Sequence, residues 1–137
     1  MFEVTYGLPT IAARLGEERL GGDGRHAVNV SYGAARAFNG WVVAFRIPRH
    51  GLHERYVGLL GSIDAGRKVG WQVTARRYHA DKGGEALGRE LDAGIAVALG
   101  KGFSVDVQYG DYRAAGHGTD ERKLWIIGEY RFGKAPR

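Results

Sequence analysis

Leu91-Asp92-Ala93-Gly94-Ile95-Ala96-Val97-Ala98-Leu99, then Gly100-Lys101-Gly102, then Phe103-Ser104-Val105-Asp106-Val107-Gln108-Tyr109 is the stretch that decides the fold. On both sides of the glycine-flanked lysine, every second residue is apolar. The alternate positions hold Asp92, Ser104, Asp106 and Gln108. A period of two is the signature of strands with one apolar and one polar face, and the glycine cluster makes the pair a hairpin. The pattern continues in both directions. Val69, Trp71, Val73 and Ala75 alternate with Gly70, Gln72, Thr74 and Arg76. Val57, Leu59, Gly61 and Ile63 alternate with Tyr56, Gly58, Leu60 and Ser62, closed by the turn Asp64-Ala65-Gly66-Arg67. Trp41, Val43, Phe45 and Ile47 form a further run before Pro48-Arg49-His50-Gly51. Leu124, Ile126, Gly128, Tyr130 and Phe132 form the last.

Six strands follow from about Gly40 onward. The first third is less regular: Val4 to Leu20 reads as one long strand disturbed at Pro9. His26 to Tyr32 reads as a shorter strand after Gly21-Gly22-Asp23-Gly24. The expectation is an all-β fold, an up-and-down antiparallel meander of about eight strands in a single domain over residues 1–137.

Composition narrows the class. The 137 residues are 44% apolar and 26% charged, with 23 glycines, 3 prolines and no cysteine, which excludes disulfide scaffolds, thiolate metal sites and a disordered chain. The net charge of +5 permits an anionic partner. The positive residues are scattered rather than gathered in a basic arm, so nucleic acid is not expected. No run approaches the roughly 18 apolar residues of a spanning helix. Met1 to Tyr6 shows neither the basic nor the apolar region of an export signal.

Alternation alone fits two architectures. In a soluble barrel the apolar face packs inward, and in a membrane barrel it meets lipid. Strands near 10 residues match a tilted bilayer crossing. Links alternate between short (64–67, 100–102) and long (48–53, 80–86, 113–119), as at the two ends of an outer-membrane barrel, with both termini expected on the short-turn side. Trp41, Phe103, Tyr109, Tyr130 and Phe132 stand at the ends of the apolar faces, where an interfacial girdle belongs. The membrane reading is the first, and a soluble closed β-barrel binding a small apolar ligand is the alternative.

Several short motifs carry a family resemblance. Phe38-Asn39-Gly40-Trp41, Ile47-Pro48, Gly51-Leu52 and Tyr56-Val57 resemble the segment Phe-x-Gly-Trp, proline turn and Gly-Leu strand of the outer-membrane alginate-export-like porins. Tyr109-Gly110-Asp111-Tyr112, Gly118-Thr119-Asp120, Lys123-Leu124-Trp125 and Tyr130-Arg131-Phe132 resemble that family's last hairpin. The resemblance runs from about residue 36 to 132 and corresponds to the C-terminal half of those larger Gram-negative barrels. The chain departs from the pattern at Val42 and Val43, at Ala34 to Ala37, and in the five residues after Phe132.

The resemblance implies a porin of the Gram-negative outer membrane, with outer-membrane lipid as its surroundings. It also implies passive transport or export of small or anionic solutes such as sugars and carboxylates. The basic residues on the polar face, Arg46, Arg76, Lys123 and Arg131, are the candidate solute contacts. Internal ion pairing with Glu90, Asp92, Asp106 and Glu129 explains them as well. Eight strands leave no aqueous bore, so conduction needs further strands, from a homo-oligomer or a longer parent chain; otherwise the barrel is a plugged, structural one.

Nothing in the sequence assembles an enzyme or a cofactor site. His50, His53, His79 and His117 fall in or beside the long loops, while Ser31, Ser62 and Ser104 lie near the other end, which opposes a catalytic triad. No metal-ligand spacing joins these histidines to Asp111 or Asp120. Gly21-Gly22-Asp23-Gly24 lacks the flanking strand and helix of a phosphate loop.

Overall fold

The computed structural model describes residues 1–26, 40–42, 47–116 and 118–132. Seven strands form one sheet in chain order: β1 (Phe2–Gly7), β2 (Ile11–Leu20), β3 (Leu52–Asp64), β4 (Lys68–Ala80), β5 (Ala86–Gly100), β6 (Phe103–Ala114) and β7 (Glu121–Tyr130). Every neighbouring pair is antiparallel, so the all-β, up-and-down meander expected from the period of two is present. The β5–β6 hairpin pairs Ile95 with Val107 and Val97 with Val105, turning through Lys101 at φ 52° between two glycines of positive φ.

Four expectations are corrected. Val4 to Leu20 is not one strand but the hairpin β1–β2, in which Pro9 sits in the turn and Gly7 pairs with Ala12. Proline supplies no ladder donor, and the chain reverses there. Gly40 to Val42 is a turn rather than the start of a strand. Residues 43–46, and all but the first residue of the strand expected at His26 to Tyr32, lie outside the described residues.

Third, the seven strands among the described residues form a sheet that is not closed into a barrel, the expected count of about eight having included the strand at His26 to Tyr32 that lies outside the described residues. In an alternating meander an odd count leaves β1 and β7 running in the same direction. Closure between them would need a parallel pair, and an all-antiparallel cylinder needs an even number. The odd count also corrects the placement of the ends: β1 starts beside the long connections, since Phe2 pairs with Glu17, whereas Tyr130 closes β7 beside the 101–102 turn.

Pleating divides the residues cleanly. One face carries Val57, Leu59, Val73, Leu91, Ile95, Val107, Leu124 and Ile126, all at least 39% exposed, with Leu124 at 63% and Ile126 at 73%. The other face holds the buried groups Glu54, Tyr56, Thr74, Tyr78, Glu90, Asp92 and Tyr112. A small apolar cluster of Val42, Ile47, Leu52, Tyr78 and Tyr112 closes the long-loop end of this inner face. The chain exposes 9522 Å². A compact monomer of 15.0 kDa exposes about 7,000 Å². The excess accompanies a sheet whose apolar side is left exposed among the described residues.

Candidate functional site

Polar chemistry concentrates on the inner face, where β3, β4 and β5 bring three rows into register. Tyr56 pairs with Arg76 and Arg76 with Glu90; Glu54 pairs with Tyr78; Thr74 pairs with Asp92. Arg76 is the centre. Its guanidinium donates to Asp92 at 2.9 Å and forms an ion pair with Glu54. It also lies 5.2 Å from the Tyr56 ring centroid, while Arg14 approaches the same ring at 5.7 Å. The Tyr56 hydroxyl donates to Glu3, so β1 to β5 are tied through one tyrosine between two cations. Glu54 and Asp92 are 0% and 1% exposed. Carboxylates so buried require a paired cation, and Arg76 supplies it.

Glu90 does different work. One of its oxygens accepts the backbone N–H groups of Trp41 (2.7 Å) and Val42 (2.9 Å), and Tyr78 donates to the other at 3.3 Å. The turn Gly40–Trp41–Val42 is thereby fastened against the inner face. From the far side Lys123 donates to the Val42 carbonyl at 2.5 Å, and the Trp125 indole donates to the Trp41 carbonyl at 3.3 Å. Missing side chains make the room. A Cβ on Gly94 would stand 2.7 Å from the Trp41 ring, and one on Gly110 would stand 2.5 Å from a Val42 methyl. Trp41 therefore leaves the expected girdle and lies against the polar side, because Glu90 holds its backbone N–H and Gly94 leaves room for its ring. Phe103, Tyr109 and Tyr130 do stand on the outer face, 40%, 39% and 52% exposed.

Of the four basic candidates, Arg76 and Lys123 occupy the inner face, Arg76 held by carboxylates and Lys123 by the Val42 carbonyl and Glu121 at 3.0 Å. Arg131 follows β7, is largely exposed and pairs with Glu129 at 2.5 Å. Arg46 lies outside the described residues. Sequence reading missed Arg14, Glu54, Tyr56 and Tyr78 as members of the network. Carrying the parity of Gly58 and Leu60 two residues back from Tyr56 would have reached Glu54.

Below Trp41, an open groove of about 460 Å³ runs along the inner face at the short-turn end, bordered by Ala12, Leu60, Gln72, Gly94 and Asp106. His53 and His79 are cross-strand partners at the long-loop end, where His53 meets Glu17 at 2.9 Å. Ser62 and Ser104 stand near the opposite end of the sheet. Among the described residues no three His, Asp or Glu side chains converge as metal ligands. No protein family, no curated protein and no solved structure matches this chain.

Proposed function

We propose that this sheet is part of the wall of an outer-membrane β-barrel of porin type. Its apolar face lies against lipid, and its polar face borders a path for small or anionic solutes once further strands close the cylinder. The supporting observation is the inverted polarity of the two faces. Among the described residues leucine, isoleucine and valine are uncovered on one side, while three carboxylates are buried on the other around the Arg76 side chain, which is 10% exposed, the reverse of a protein packed around an oily core. The edges of β1 and β7, unpaired among the described residues, are where additional strands, from a second copy or from further chain, would join. The role is passive, with no catalytic step.

A plugged, structural barrel is the second reading, favoured by the turn at Gly40–Val42 fastened to the inner face by Glu90, Lys123 and Trp125. One experiment addresses both. The full chain is refolded with and without detergent and then added to a planar bilayer. Detergent-dependent monodispersity is expected, with little steady current until oligomers assemble. A monodisperse monomer in plain buffer would end the lipid-facing reading, and insertion without current in any assembly state would leave the structural barrel.

A further inference from the structure

At one height on the outer face, four adjacent strands each present an arginine. Arg55 of β3 pairs with Arg77 of β4, Arg77 with Arg89 of β5, and Arg89 with Arg113 of β6. Cations placed directly opposite one another repel. A row of four, spanning about 15 Å at the usual strand spacing, opposes folding unless anions meet it.

The protein supplies few. Arg55 stands 3.6 Å from Glu17, a carboxylate shared with Arg19 and His53. Arg113 binds Asp111 at 2.7 Å and Asp120 at 2.9 Å, and Asp111 is shared with Arg122. The central pair, Arg77 and Arg89, is exposed and has no carboxylate partner among the described residues.

The location of the row gives it meaning. It lies between the long connections and the apolar band, and the four arginines rim an open groove of about 620 Å³ whose other walls include Leu15, Val57, Leu91 and Tyr109. Immediately toward the loops, Arg77, Arg89 and Arg113 also border a second groove of about 380 Å³. Guanidinium groups hold phosphate oxygens in paired hydrogen bonds, and the apolar walls beside them suit acyl chain.

We propose that the Arg55–Arg77–Arg89–Arg113 row binds net-anionic lipid headgroups, whose phosphate carries no neutralising choline, in the leaflet on the long-loop side, setting the depth at which the sheet sits. This rests on the lipid-facing reading above and adds the headgroup chemistry to it.

The test uses the refolded full chain and two kinds of vesicle, phosphatidylcholine alone and phosphatidylcholine with one-fifth phosphatidic acid. Wild type is expected to partition more strongly into the second. The variant Arg77→Gln/Arg89→Gln should lose about 30-fold of that preference, roughly fivefold per cation near an anionic surface, with partition into phosphatidylcholine unchanged. The control Arg67→Gln/Lys68→Gln, at the opposite end of the sheet, should keep it. Equal loss in the control, or retention in the Arg77/Arg89 variant, overturns the assignment. Insertion without any preference for phosphatidic acid defeats the arginine assignment alone. Failure to enter either vesicle defeats the lipid-facing wall as well.

Discussion

Placing an arginine on the outer face at different heights separates a lipid-facing sheet from a water-facing one, because only a bilayer makes the cost depend on depth. Take the Arg89 row as the headgroup level. Along β5, Leu91 lies about 7 Å and Ile95 about 20 Å from it at 3.4 Å per residue. A strand tilt of about 40° reduces these to depths of about 5 and 16 Å, within an apolar band about 25 Å tall. Leu91 is therefore near the interface and Ile95 near the midplane, as is Val107, its partner on β6.

The expected penalty is about 2–4 kcal/mol for Ile95→Arg and for Val107→Arg, and about 0–1 kcal/mol for Leu91→Arg. In water the same three side chains, 53%, 39% and 49% exposed, would each tolerate arginine within about 0.5 kcal/mol. Reversible urea unfolding from phosphatidylcholine vesicles, followed by tryptophan emission, measures the difference. A flat profile, with Ile95→Arg no costlier than Leu91→Arg, would refute the facing of the sheet.

Three further outcomes are expected. Arg76→Met strands Glu54 and Asp92 without their shared cation and should cost about 3–5 kcal/mol in guanidinium unfolding; adding Glu54→Gln and Asp92→Asn should recover most of it, and no recovery would show that the cluster is not held by charge. Gly94→Val forces a side chain into the seat of the Trp41 ring, costing about 1–3 kcal/mol and moving tryptophan emission to the red; an unchanged spectrum counts against the seat. The backbone N–H of His26 (2.6 Å), the His26 ring (2.9 Å) and the N–H of Arg25 (2.7 Å) hold the Asp23 carboxyl down at about 2. A lowered pKa stabilises the turn fully above the ordinary value of 3.8 and loses that contribution as pH falls through about 2. The His26 amide shift should titrate with that midpoint, and a midpoint near 3.8 would remove the hydrogen bonds from the account.

Side-chain parity is a local property, and the sequence carried it faithfully. Ile95 and Val107 were assigned to one face and Arg76, Glu90, Asp92 and Lys123 to the other, and each stands there, because successive residues of a strand must point to opposite sides. The β1–β2 reversal was missed although Pro9 marked it, since a six-residue strand carries too few alternations to separate a hairpin from an interrupted strand. Trp41 was misplaced for another reason. Its seat is made by Gly94 and Glu90, 49 to 53 positions away in the chain, and no local pattern encodes their convergence.

Alternation of greasy and charged residues, and therefore strands with two unlike faces, was written in the chain by itself. Which arginine meets which carboxylate, which turn enters the sheet's hollow and whether the edges meet were settled only in three dimensions. Pleating depends on neighbours in sequence. Register, long-range ion pairing and closure depend on the ordering and direction of whole strands, and an odd number of alternating strands leaves the two edges running the same way.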